Sequence, residues 1–160
     1  MIQKLCILLV MFSFSGNQII AQKEYHYEYY TNGVLKAEGW KLGDQKVDFW
    51  HFYHPNGKVL KEGHFRNNKK NGYWYFYSEN SKLLKEGHFV NDKAEKWWII
   101  YDIAAEITRK YQYKNNKKEG YCLLYKNNKL FKAERYIDDK KTGEWTDIFS
   151  FKRDNPNASL

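Results

Sequence analysis

Cysteine and proline are nearly missing from this chain, at two residues each among 160. Cys6 falls in an N-terminal apolar stretch, which leaves Cys122 as the one thiol in the body, so no internal disulfide can form. Packing and ladder hydrogen bonds must then hold the fold. The apolar run from Leu5 to Phe14 covers ten residues, too few for a membrane-spanning helix, which needs about 20. No segment carries a convincing helical period. Chemistry-bearing motifs are absent as well: no G-x-S-x-G, no phosphate-cradling glycine loop, no cysteine with a fixed histidine partner, no Cys/His cluster at ligand spacing. The sequence therefore predicts no catalytic residue, no metal site and no cofactor.

Aromatic residues fill part of that gap. They make up 19% of the chain, with 14 Tyr and 6 Trp, which argues against disorder and favours strands. The N-terminus reads as a secretory signal peptide: a short basic start, the apolar run, a polar turn at Ser15 to Gln18, then Ile19-Ile20-Ala21. Cleavage after Ala21 predicts an exported chain of 139 residues (160 less 21), and the loss of Lys4 lowers the net charge from +8 to +7. The expected divisions are a signal peptide at 1–21, a repeat domain at 22–151 and a tail at 152–160. Arg153 to Leu160 is expected to fray.

The body repeats itself. Tyr29, Tyr53, Tyr77, Tyr101 and Tyr125 are each 24 residues apart, and Trp50, Trp74 and Trp98 keep that step, with Cys122 in the next Trp slot. Gly39, Gly63 and Gly87 follow it, as do Asn32-Gly33 and Asn56-Gly57, degraded to Asn80-Ser81. Gly72 and Gly120 are two periods apart, with Lys96 between them. Gly143 and Trp145 come one residue early, which places a missing residue near Asn127-Asn128. Each unit reads as a hairpin: an aromatic strand such as GYWYFY, an Asn-Gly turn, a second strand such as VLKEGHF, and a polar turn such as RNNKKNG. The expected fold is all-β, an elongated twisted antiparallel meander of about five stacked 24-residue hairpins and about ten strands. In GYWYFY, alternation sends Trp74 and Phe76 to one face and Tyr73, Tyr75 and Tyr77 to the other. The repeated glycine is expected to leave room for a ring from the next strand.

The pattern YxxNGxxxxEGxFxxxKKxGxWxxY, carried by Tyr53, Asn56, Gly57, Glu62, Gly63, Phe65, Lys69, Lys70, Gly72, Trp74 and Tyr77, resembles the MORN-repeat variant of many bacterial proteins. The resemblance covers about residues 25 to 150. It implies a twisted sheet of stacked hairpins serving as a scaffold or binding surface for protein partners or membrane lipid. Many bacterial members carry an antitoxin label. The fourth unit departs from the pattern, with Ala104-Ala105 for Asn-Gly, Arg109-Lys110 for Glu-Gly, and Cys122 for Trp.

Three sets of residues are candidates for function. Glu62/His64 and Glu86/His88, within the twice-used LKEGHF, have the residue types of an acid/base pair. Other units fill the His slot with Trp40 and Gln112, so the pair reads instead as a repeated polar strip. Tyr53, Tyr77, Tyr101 and Tyr125, with His64 and His88, form a candidate binding surface, or else the sheet's own packing. Lys46, Lys69, Lys70, Lys93, Lys117, Lys118, Lys140 and Lys141 fall in one turn of successive units. They form a candidate basic edge, or else a solubilising guard. A protein partner is the favoured expectation, anionic membrane lipid the alternative, and nucleic acid is disfavoured by export.

Overall fold

Every strand pairs with its neighbours in the chain. The computed structural model describes residues 22–158; the signal peptide expected at 1–21 lies outside them. Eleven strands form one open antiparallel sheet in sequence order. They are β1 (Lys23–Tyr29), β2 (Leu35–Leu42), β3 (Gln45–Tyr53), β4 (Val59–Arg66), β5 (Lys69–Tyr77), β6 (Leu83–Val90), β7 (Lys93–Asp102), β8 (Ile107–Lys114), β9 (Lys117–Lys126), β10 (Lys129–Ile137) and β11 (Lys140–Trp145). One short helix, α1 (Ile148–Asp154), follows. The expected meander of stacked hairpins is what forms, with one strand more than expected.

The two hairpin turns differ from their sequence reading. In HPNGK, Gly57 N–H donates to His54 O at 2.9 Å and His54 N–H to Lys58 O at 2.8 Å. Pro55-Asn56 therefore forms the bend of a three-residue loop, and Gly57 takes the left-handed position, φ +79°. The tight two-residue turns are the polar ones: Asn67-Asn68, Asn91-Asp92, Asn115-Asn116, Asn127-Asn128 and Asp138-Asp139 all have positive φ at both positions. Asn and Asp tolerate that region best among non-glycine residues. At Asn127-Asn128 a two-residue turn replaces the longer loop, which accounts for the missing residue.

The second residue of these turns also locks one repeat to the one before. Asn68 Oδ1 accepts from Lys46 N–H at 2.7 Å, while its own N–H donates to Lys46 O at 3.0 Å. Asp92 repeats the clamp on Lys70, Asn116 on Ala94 and Asp139 on Lys118. Asn68→Gly keeps the backbone conformation but removes the acceptor. It should destabilise by about 1 kcal/mol in urea titration, whereas Asn67→Gly should not. Equal effects of the two would exclude the clamp as the cause.

Between the Trp and the turn, the odd-numbered strands bulge. Gly63 pairs with Trp74 and Phe65 with Lys70, so two steps on β4 face four on β5. The bulge position carries positive φ in every full unit: Asp48 at 57°, Gly72 at 93°, Lys96 at 62° and Gly120 at 107°. Gly72 and Gly120 thus stand inside strands, not at the end of a turn. Lys96 is a β-carbon residue held where glycine fits better, and Lys96→Gly should stabilise by about 0.5–1 kcal/mol, read from the thermal midpoint. No gain would mean that the Lys96 side chain compensates for its backbone.

The residues expected to fray do not all do so. Seven residues are too short to show a period in sequence, yet α1 is anchored: Asp147 caps its N-terminus by accepting from Ser150 N–H at 2.8 Å. Phe151 is 2% exposed and Asn155 6%. The start of the expected tail is therefore the end of a packed helix.

Candidate functional site

The sheet has two unlike faces. On the first, the tryptophan face, Trp50 and Trp74 are 0% exposed and Trp98 5%, although only one layer of backbone lies beneath them. Each ring lies flat on the glycine directly across from it, Gly39, Gly63 and Gly87. A Cβ on any of these glycines would come closer than 3.0 Å to the indole. The expected space-making role of glycine is thus seen. Each indole N–H is satisfied by a carbonyl one residue beyond the glycine: Trp40 O at 2.9 Å, His64 O at 3.0 Å and His88 O at 3.1 Å. Phe52, Phe65, Phe76 and Phe89 fill the gaps, several of them edge-on, as Phe65 is to Trp74 at 5.0 Å and 89°.

Lysine stems roof these rings. Lys46 lies 4.0 Å from the Trp50 centroid, Lys70 is 4.1 Å from Phe89, and Lys61 and Lys85 are 4.8 and 4.9 Å from Phe52 and Phe76. The candidate basic edge is therefore divided. Lys46, Lys70 and Lys118 turn onto the face, the last over Tyr111 at 4.4 Å, while Lys141 binds Glu144. Lys69, Lys93, Lys117 and Lys140 stay exposed, but Lys93 donates to Asn115 and Lys117 pairs with Asp138.

The second, the tyrosine face, holds the other candidates. Tyr53 OH donates to Glu38 at 2.5 Å, Tyr77 to Glu62 at 2.8 Å and Tyr101 to Glu86 at 2.5 Å, always fifteen residues apart. The Tyr53, Tyr77 and Tyr101 hydroxyls are therefore engaged within the sheet itself. Glu62 meets His51 Nε2 of β3 at 3.3 Å. His64 instead packs edge-on against Phe49 at 5.0 Å, and His88 against Tyr73 at 5.8 Å. The structure thus joins each LKEGHF glutamate to a tyrosine of the following strand. Among the described residues, no three His, Cys, Asp or Glu cluster as metal ligands.

Burial, then the carboxylate each one bonds, holds the Tyr53, Tyr77 and Tyr101 hydroxyls well above the usual phenol range. Tyr73 is pushed up to about 12 for the same reasons, beside Glu86. In the unfolded chain these groups ionise near 10.0. The folded chain therefore binds more protons above that pH, and the stabilisation is complete below pH about 10 and lost as pH rises further. Urea midpoints should hold level to about that pH and then fall, less steeply when Tyr53, Tyr77 and Tyr101 are all Phe. Parallel curves for the two proteins would refute the assignment.

The fourth unit is a size exchange. Register places Lys110 and Tyr111, not Arg109 and Lys110, in the Glu-Gly slots, and Tyr111 lies directly across from Cys122. A large ring and a small partner have swapped strands. Cys122 is 0% exposed, and burial followed by Glu134 pushes its thiol up to about 12, so it stays protonated and unreactive at neutral pH. Lys110 in the Glu slot meets the Tyr125 ring at 4.9 Å, replacing the hydroxyl–carboxylate bond with a cation–π contact.

At the end of the sheet, α1 covers the tyrosine face. Glu134 pairs with Glu144 and Arg135 with Gly143, but Tyr136 with Lys141, so the bulge of β11 inserts only one residue. That change of parity turns Trp145 to the opposite face from Trp50, Trp74 and Trp98. There it meets Phe151 edge-on at 5.3 Å and 89°, and its indole N–H donates to Asp154 at 3.0 Å. Tyr121 closes the other side of Phe151 at 5.4 Å. Far from α1, the same face leaves Tyr25, Tyr27, Tyr29 and Trp40 at 38, 51, 60 and 37% exposure. Compared with known proteins, the chain matches no family model and no curated protein.

Proposed function

We propose that this is an exported, non-enzymatic MORN-like repeat protein that holds a protein partner on its tyrosine face, as a scaffold or neutralising partner in the cell envelope. The observation that supports this most is the unequal covering of that face. α1 seats Phe151 among Tyr121, Leu123, Ala133 and Trp145, an aromatic knob from the chain itself docked on this face. At the other end, Tyr25 packs edge-on against Tyr27 at 5.2 Å and Trp40 at 5.1 Å; Lys23 sits over Trp40, and no helix covers these part-exposed rings among the described residues. Rings with an apolar body and a polar tip suit a protein interface.

The test is cross-linking capture from envelope fractions followed by mass spectrometry. It uses the mature chain and a Tyr25→Ser/Tyr27→Ser/Trp40→Ser variant whose folding is checked by circular dichroism. A partner retained by the native chain and lost by the variant supports the reading. A partner held equally by both, or none in any fraction, overturns it.

A second reading, peripheral binding to anionic lipid along the lysine edge, draws on Lys69 and Lys140. Both are exposed, and neither has a carboxylate partner among the described residues. It predicts co-sedimentation with anionic but not neutral vesicles, weakening as salt rises. Equal binding to both vesicle types would end it.

A further inference from the structure

Several cations of the tryptophan face are paired with carboxylates, while others, Lys118 over Tyr111 among them, are held by rings alone. Lys46 pairs with Glu28 at 2.9 Å, Arg109 with Asp102 at 3.2 Å, and Lys132 and Lys141 share Glu144 beside the buried Glu134. On β4, β5 and β6, three consecutive strands, Lys61, Lys70 and Lys85 have no carboxylate partner among the described residues. They stand over adjacent rings of one aromatic strip: Lys61 over Phe52, Lys70 over Trp74 and Phe89, Lys85 over Phe76. Lys46 and Lys61 share the Phe52 ring at 5.1 and 4.8 Å, which extends the cationic patch onto β3.

We propose that this strip binds a linear polyanion, a polymer of closely spaced tetrahedral oxyanions, with Lys61, Lys70 and Lys85 as its contacts. Lys61 and Lys85 flank Phe76 two strands apart, about 10 Å across the sheet. Lys70 stands further along β5, level with Phe65, so the three make a triangle that an extended polymer can span and a single small anion cannot. Charge complementarity is the whole of the recognition. Trp50 and Trp74 are 0% exposed beneath the lysines, so no large ring is free to stack on a nucleic-acid base. Burial, then the Lys70 and Lys46 ammonium groups, lower the affinity of Lys61 for its proton; burial also lowers that of Lys70, with Asp92 opposing and Lys85 adding to the effect. The site lies on the face opposite the proposed partner surface, so the two readings stand or fall separately.

Lys70 lies 5.9 Å from the Trp74 centroid, so tryptophan emission reports binding directly. The full chain is titrated with inorganic polyphosphate, with heparin as a sulfated polysaccharide, with orthophosphate, and with an oligothymidylate of equal charge. Either polymer should bind, and which one binds identifies phosphate or sulfate as the group read. In a Lys61→Gln/Lys70→Gln/Lys85→Gln variant, affinity should fall at least tenfold, and the slope of log Kd against log salt should drop by about 2. A triple Lys→Arg variant should keep binding within about threefold, which covers the case where the Gln variant fails to fold. Lys69→Gln/Lys93→Gln/Lys140→Gln should change little. The proposal fails if neither polymer binds, or if orthophosphate binds as tightly as the polymers. It also fails if oligothymidylate binds more tightly than they do, if edge and face variants lose equally, or if the face variant alters only self-association.

Discussion

Trp74→Cys should lower the unfolding free energy by about 3–5 kcal/mol, and Gly63→Tyr by a comparable amount, yet the two together should cost far less than their sum. The first change empties a fully buried indole from over Gly63, removes its bond to His64 O and takes the edge-on partner from Phe65 and Phe89. The second forces a ring into the space the indole occupies, where even a Cβ clashes. Combined, they copy the Tyr111–Cys122 pair that the fourth unit already uses at the same register. A coupling of at least about 2 kcal/mol in a double-mutant cycle of urea titrations is the expected result. Additive losses would mean that the fourth unit depends on Lys110, Glu134 or its loop for its stability, and not on the exchange of sizes across the ladder.

The second large effect is at the other end of the chain. Phe151→Ala should cost about 3–5 kcal/mol, because the side chain is 2% exposed and wedged between Tyr121 and Trp145. The loss should stay local. In an array where each repeat touches only its neighbours, weakening a terminal cap loosens the last hairpins first. Hydrogen exchange should therefore accelerate in β9 to β11 while β3 to β6 keep their protection. Uniform acceleration along the sheet would show that the eleven strands open as one unit.

Much of this fold is legible in residues alone, for identifiable reasons. The period is visible because Trp, Tyr and Gly each answer a strict steric demand, and the ring-on-glycine contact follows from their offset. The bulges are hidden because their position accepts Asp48, Gly72, Lys96 and Gly120, which share no side-chain chemistry, only a backbone angle. The turn clamp does leave a trace, Asn68, Asp92, Asn116 and Asp139 at one slot, but their shared carbonyl-type oxygen is masked by their general fitness for turns. The lysines read as one edge because their spacing matches the turns. Spacing does not say which of two adjacent lysines folds over a ring. The Glu62–Tyr77 bond stays out of sight because its partners belong to different motifs, one in LKEGHF and one in the tyrosine column.

The order of strands in the sheet is the order of the chain, without a crossover. No strand waits for a distant segment to arrive before it can pair. A chain that emerges one residue at a time can close each hairpin as the next appears, and the finished edge serves as the template for the following strand. Folding then becomes growth from one end. A whole unit of this kind could be gained or lost between two others without rewriting the contacts of either.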